Sequence, residues 1–313
     1  MPQVSIAQLF RDNAAALKLD WASGPQQMPP VLDSAQINSA AQGLIGHLNF
    51  THPNWIQIFS HTEAAYFQNL PPESQRDMLA QLAASNLACI IISNAETPPL
   101  ALLEFARAQN VPLLSSPLHS LQIIWVIRTY LGRALAEFVT RHGVFLDVLG
   151  MGVLLTGDSG VGKSELALEL ITRGSGLVSD DVVELYHIAP ETLEGRSPEL
   201  LKDFLEVRGL GMLNIRTIFG ETAVRIRKNL KLVVKLERPI SGHVPGLDRL
   251  PLNASSEIVM GVQIRHVTLP VAAGRNLAVL VEAAVRNYVL QLRGIDSTRE
   301  FIERQEKFMN RGD

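Results

Sequence analysis

The residues with the clearest chemistry are Gly157-Asp158-Ser159-Gly160-Val161-Gly162-Lys163-Ser164, which satisfy G-x-x-x-x-G-K-[ST] at every fixed position. Small residues let such a loop turn its backbone N–H groups inward as an anion nest. Lys163 would reach the β- and γ-phosphates of ATP, and the Ser164 hydroxyl would ligate Mg2+. The flanks agree. Val153-Leu154-Leu155-Thr156 is a short apolar run that reads as a buried strand feeding the loop. Glu165 through Arg173 are mostly good helix formers, with Gly174 following as the C′ residue. Lys163 and Ser164 are therefore expected at a helix N-terminus, where the macrodipole adds to anion binding.

Beyond that helix, Leu177-Val178-Ser179-Asp180-Asp181 reads as a strand running into paired carboxylates. Acids placed there could hold magnesium through water or accept a proton from an attacking hydroxyl; a solvated acidic turn is the plain alternative. Adjacent side chains point in different directions, so Asp181 is assigned as proton acceptor and Asp180 as its support. The next segment is Leu205-Glu206-Val207-Arg208-Gly209-Leu210-Gly211-Met212-Leu213-Asn214-Ile215. If extended, it puts Glu206 and Arg208 on one face, ahead of glycines that permit close backbone approach. A carboxylate for magnesium and a guanidinium for phosphate suit that face.

These groups need elements to hold them. Ser5 to Lys18 has helical periodicity with Ser5 as N-cap, and a polar stretch follows through Pro30. The spacing predicts strands at Trp55–Phe59, Leu87–Ile92 and Val111–Leu114, with helices from Pro71 to Ala84 and from Pro98 to Gln109 between them. That alternation argues for a small α/β domain with a parallel sheet over residues 1–130. Its strand ends carry no grouping of acid, base and nucleophile, so a regulatory or assembly role is expected. A long helix is predicted from about Ser120 to Arg141, with Leu121, Ile124, Leu131, Leu135 and Phe138 near one face, connecting to a second domain at 131–313. His142 would then lie at the helix exit, where it either completes the helix C-terminus or faces the start of the sheet. Val144–Leu149 reads as a strand and Gly150-Met151-Gly152 as a tight turn. Near the end come a core helix from Leu277 to Leu292 and a polar helix from Ser297 to Met309. On the latter, Phe301, Ile302, Phe308 and Met309 form an apolar edge open to core packing, a second subunit or a protein substrate.

The chain has 313 residues, 47% apolar and 19% charged, which suits an ordinary globular protein of two domains. A net charge of −3 gives no electrostatic case for nucleic acid. Cys89 is the single cysteine, in an apolar strand-like run, so it reads as core rather than redox chemistry. The N-terminus lacks the pattern of a signal peptide, and charges interrupt the longest apolar span near Leu121–Val139, so a cytoplasmic protein with no membrane partner is expected.

His142-Gly143-Val144, the GDSGVGKS run from Gly157, Asp180-Asp181 and Glu206-Val207-Arg208-Gly209-Leu210-Gly211 together resemble the bacterial HPr kinase/phosphorylase family. The resemblance is strong over residues of about 135 to 280 and extends to the N-terminal domain in layout. It implies an α/β protein whose C-terminal P-loop kinase domain is similar to the nucleotide core of phosphoenolpyruvate carboxykinase. It also implies an enzyme that phosphorylates a serine of the phosphocarrier HPr with ATP and removes that phosphate by phosphorolysis, taking inorganic phosphate and giving pyrophosphate. Members are typically hexamers. Position by position, the resemblance makes His142, Lys163, Asp181 and Arg249 active-site residues and Ser164 and Glu206 magnesium ligands. Leu205 to Asn214 corresponds to the signature segment, and Leu269-Pro270-Val271-Ala272-Ala273-Gly274 to the phosphorolysis segment. Many family members have Arg-Pro where this chain has Ala272-Ala273; Arg275 remains as a candidate phosphate contact. Two other readings compete: a P-loop kinase of a small molecule, and a nucleotide-sensing regulator without catalysis.

Overall fold

The computed structural model describes residues 2–23, 30–39, 42–49, 51–238, 255–272 and 274–309. The chain divides into two compact units, Met1–Glu137 and Phe138–Asp313.

The first unit runs β1 (Gln3–Ser5), α1 (Ile6–Leu17), β2 (Asp20–Ser23), β3 (Val31–Asp33), α2 (Ser34–Ser39), β4 (Ile45–His47), β5 (Ile56–Phe59), α3 (His61–Gln68), α4 (Pro72–Ala83), β6 (Cys89–Ile92), α5 (Leu100–Ala108), β7 (Leu113–Ser115) and α6 (Ser120–Ala134). Ser5 caps α1 by accepting the Gln8 N–H at 3.1 Å. Among the described residues, the larger sheet has the order β2-β7-β6-β5-β4. Strands β4 to β7 are parallel, as the alternation of elements predicts, but β2 is an antiparallel edge strand. Its residues lie in a stretch whose polarity reads as connection, because an edge strand need bury only part of itself. Cys89 and Ile91 face one core with Ile56 and Ile58, while Ile90 and Ile92 face another with Phe59 and Leu113. Burial pushes the Cys89 thiol well above the usual thiol range, which fits a packing role.

The helix predicted to reach Arg141 stops at Ala134, and Phe138–His142 is instead a strand. Phe138, Val139 and Thr140 are aromatic and β-branched residues that pair with Tyr186, Leu185 and Glu184. That long-range pairing outcompetes continuation of the helical period.

The second unit begins with β8 (Phe138–His142), β9 (Val144–Val148), β10 (Met151–Gly157), α7 (Lys163–Thr172), β11 (Gly176–Ser179), β12 (Val182–Ala189) and β13 (Thr192–Arg196). It continues with β14 (Phe204–Val207), β15 (Gly211–Asn214), α8 (Ile215–Phe219), β16 (Arg227–Glu237), β17 (Ser256–Val259), β18 (Val262–Pro270), α9 (Leu277–Leu292) and α10 (Ser297–Met309). Its main sheet has the path β11-β9-β10-β16-β13-β12-β8. Strand β16 is shared: its first residues pair antiparallel with β13 and its later ones parallel with β18, while β10 lies parallel on its other side. Both faces of the central strands are buried. Val153 and Leu155 join Val144, Leu146, Leu232 and Val234 in a core shared with α7 and α9, whereas Leu154, Phe145 and Val233 face the core under β12 and β13. Each fully buried Val or Leu contributes about 1.5–3 kcal/mol, so this double-faced core fixes the strand ends that carry the site. Helix α10 buries none of its residues, and Phe301 and Phe308 are exposed on it. No helix among the described residues is long and apolar enough to cross a membrane.

Candidate active site

The site forms where the C-terminal ends of β10 and β16 meet the start of α7. Strand β10 ends at Gly157, paired with Leu236 so closely that a Cβ there would stand 2.4 Å from the Leu236 carbonyl oxygen. The chain then turns, with the Val161 N–H donating to Asp158 O at 3.2 Å and the Val161 side chain buried beneath as an anchor. The first bond of α7 runs from the Leu166 N–H to Gly162 O at 3.0 Å. The N–H groups of Lys163, Ser164 and Glu165 therefore have no partner within the helix, leaving donors at the positive end of its dipole. Lys163 Nζ donates to Gly157 O at 2.9 Å and Asp158 O at 3.1 Å, which places its ammonium inside the curve of the loop.

The paired acids separate as their adjacency suggests. Ser179 is buried at the end of β11, and its Oγ donates to Val182 O at 2.6 Å, closing a tight corner. Within that corner Asp181 adopts φ 62°, a left-handed conformation that aspartate tolerates better than most residues. Asp180 is buried and accepts the Glu206 N–H at 2.8 Å; burial holds its carboxyl above the usual carboxylate range, against the pull of the Glu206 and Asp181 N–H groups. Asp181 points outward, its side chain 73% exposed, and its Oδ1 lies 3.8 Å from Nδ1 of His142. His142 ends strand β8 rather than a helix, so it stands beside Asp181 through the pairing of β8 with β12. Gly143 completes the corner by donating its N–H to Asp181 O at 3.0 Å.

The third part is the β14–β15 hairpin. Leu205 and Val207 enter the core, and the alternation turns Glu206 to the open side. The strand ends at Val207, so Arg208 belongs to the turn and does not share an extended face with Glu206. Its guanidinium instead lies over the loop, 3.6 Å from where a Cβ on Gly160 would be. Leu210 and Met212 are exposed, and Leu213 is partly buried against the core. Asn214 caps α8 by accepting from the Thr217 N–H.

Together these parts line one cleft of about 400 Å3, whose walls include Lys163 and Ser164, Asp180 and Asp181, and Glu206 and Arg208. That is within the range of small-molecule sites. Gly143 and Glu165 also line it; the sequence marks the first only within the His142-Gly143-Val144 run and the second only as the start of a helix. Leu269, Pro270 and Val271 sit at the same sheet end, since β18 runs parallel to β16, yet they are not among the cleft's lining residues. Ala272 and Gly274 follow in the connection to α9. Arg249 and Ala273 lie outside the described residues.

The donor set suits a hard cation. Ser164 and Glu206 offer oxygen ligands in the same cleft, and the described residues contain no cluster of three or more His, Cys, Asp or Glu able to cage a metal alone. Mg2+ is commonly held this way, by one or two protein oxygens with phosphates and waters completing its shell.

Comparison with known proteins places both parts of the chain. Residues 4–131 match the family model described as HPr Serine kinase N terminus, and residues 133–305 match HPr Serine kinase C-terminal domain. The chain is 60% identical over 309 residues to an HPr kinase/phosphorylase of Nitrosomonas europaea, covering 99% of this chain and 96% of that protein. It is 51% identical over 309 residues to an HPr kinase/phosphorylase of Chromobacterium violaceum, covering 99% of this chain and 97% of that one. Among solved structures, the Hpr(Ser) kinase/phosphatase from Coxiella burnetii is 38% identical and spans 52% of this chain and 98% of its own, with a TM-score of 0.46.

Proposed function

Because the chain belongs to the HPr serine kinase family in both of its parts, we propose that it transfers the γ-phosphoryl group of ATP to a serine of an HPr-type phosphocarrier and removes it by phosphorolysis. The observation that carries this reading is the convergence of Lys163 and Ser164, Asp181, and Glu206 and Arg208 on one cleft. The loop N–H groups and Lys163 bind the phosphates, and Arg208, whose guanidinium lies over Gly160 of the loop, adds a second cation beside them. Ser164 and Glu206 would hold Mg2+, which when bound offsets charge on the phosphate oxygens.

In the forward direction the serine Oγ attacks the γ-phosphorus, the bond to the β,γ-bridging oxygen breaks, and the serine proton passes to Asp181. In reverse, inorganic phosphate attacks the phosphoserine phosphorus, pyrophosphate forms, and Asp181 returns the proton to the departing serine oxygen. One carboxylate can serve both reactions because both make or break the bond at the same serine oxygen, so the group that takes its proton as it attacks can return a proton as it departs. Its exposure supports this role, since a protein-borne serine must reach it from outside. His142 Nδ1 lies 3.8 Å from Asp181 Oδ1, beyond hydrogen-bond distance but beside the same carboxylate. By the same reading Arg249 contributes transition-state charge stabilisation, the segment 269–274 acts in phosphorolysis, and residues 1–130 serve regulation or assembly, with a cytoplasmic hexamer as the working form.

The test is a paired assay on the purified protein and on Asp181→Asn. ATP with HPr should add one phosphate to the carrier, and phosphoserine-HPr with inorganic phosphate should release pyrophosphate. Both rates should fall by about 10²- to 10⁴-fold in the variant, while ATP binding persists. Unmodified HPr alongside intact ATP binding would move the assignment to a small-molecule kinase or a nucleotide sensor.

A further inference from the structure

Arg238 follows the last residue of β16, and its guanidinium donates to the carbonyl oxygen of Gly160 at the crest of the 157–164 loop. The base from which it reaches is fixed on both sides. Gly157 abuts Leu236 with no room for a Cβ, and the Val271 N–H donates to Glu237 O at 2.8 Å. Gly160 has φ 72°, a conformation in which glycine leaves the following peptide free to rotate at little cost. That peptide has two engaged ends. Its carbonyl accepts from Arg238, and its N–H, on Val161, donates to Asp158 O. In a trans peptide these groups point in opposite directions, so holding one aims the other. Asp158 O marks the inside of the loop, since Lys163 Nζ also donates to it. Rotation of the peptide would turn the Gly160 carbonyl inward, against Asp158 O and against any anion there.

We propose that Arg238 is a positioning residue of the loop, holding the Gly160–Val161 peptide so that its carbonyl faces away from a bound polyphosphate. The inference rests on reading this loop as the nucleotide site.

The test uses the full-length protein, with Mg-ATP affinity measured by isothermal titration for wild type, Arg238→Ala and Arg238→Lys. Each is titrated at about 0.05 M and about 0.5 M salt, since screening separates long-range attraction from a local contact. The expected result is a Kd for ATP raised about tenfold in Arg238→Ala at both salt concentrations, the loss of one charge-assisted bond. Steady-state loss should fall on KM for ATP rather than on kcat, and Arg238→Lys, which keeps a donor, should recover most of it. An unchanged Kd overturns the proposal, as does a penalty that disappears at high salt, because Arg238 would then only attract the anion. A fall in Tm large enough to explain lost binding overturns it as well. If wild type itself fails to bind ATP, the reading of the loop falls, and this inference with it.

Discussion

Asp180 Oδ2 accepts the backbone N–H of Glu206 at 2.8 Å. This single bond ties the acidic corner after β11 to the β14–β15 hairpin, so the outward acids Asp181 and Glu206 are set by an inward one. Burial raises the Asp180 pKa above 3.8, so the folded state favours its protonated form. Its contribution to stability is greatest below pH 3.8 and is lost as pH climbs through the raised folded value, above which the ionised group costs stability.

Asp180→Asn keeps an acceptor for the Glu206 N–H and removes the ionisation. Its Tm relative to wild type should therefore become more favourable as pH rises from 3.8 through the raised folded value. Asp180→Ala also removes the ionisation but leaves that N–H without its partner, so it should follow the same pH trend while lying about 1–3 kcal/mol below Asp180→Asn. Thermal scans of the three proteins against pH decide; a constant gap between Asp180→Asn and wild type would refute the burial argument.

A Cβ on Gly143 would stand 2.4 Å from the carbonyl oxygen of Leu155, in a core strand that cannot yield, whereas one on Gly150 meets nothing within 4 Å. Gly143→Ala should destabilise by about 1–3 kcal/mol and exceed Gly150→Ala. It should also lower kcat, because the Gly143 N–H holds the Asp181 carbonyl. Urea midpoints and initial rates for the two variants check this, and equal destabilisation would remove the steric explanation.

Arg173, at the end of α7, forks onto Glu282 of α9 with bonds of 2.7 and 2.8 Å. The Arg173 hydrogen bonds hold the Glu282 carboxyl below its ordinary 4.5. A lowered folded pKa gives stability that is present above pH 4.5 and lost as pH falls through the folded value. Glu282→Gln should thus lower Tm near neutral pH and match wild type in strong acid. A deficit that persists at low pH would mean packing, rather than charge, carries the contact.

The geometry of the loop half of the cleft was legible in the sequence because it is local. Gly157 to Ser164, the strand before them and the helix after them are contiguous, and glycine spacing encodes the turn directly. Groups placed by long-range pairing were harder to read. Leu131, Leu135 and Phe138 recur at helical intervals, so nothing local shows that Phe138 pairs with Tyr186 in a strand that carries His142 to Asp181. Arg208 was identifiable as a phosphate-binding type, but its reach over Gly160 depends on where β14 ends. Helix α3 was missed because it is short and weakly amphipathic, and β2 because an edge strand is only partly buried. The family resemblance supplied roles for His142 and Glu206 that spacing alone left open.

Glu206 offers a test that separates metal binding from scaffold. Its backbone N–H, not its carboxylate, is the group bonded to Asp180, so Glu206→Gln leaves the hairpin tied down while removing the anionic oxygen. An amide oxygen ligates Mg2+ more weakly than a carboxylate, and Ser164 would be left as the better protein donor in the cleft. The Mg2+ concentration giving half-maximal phosphotransfer should rise about tenfold, the range seen when one ligand or its support is weakened. ATP affinity measured in the presence of a chelator should not change, because the loop N–H groups and Lys163 are untouched. Asp181→Asn should behave in the opposite way, with a low rate at every Mg2+ concentration and an unshifted midpoint. If Glu206→Gln keeps the wild-type midpoint, the carboxylate is no ligand, and this cleft-lining acid must act on the phosphoryl group or the acceptor instead.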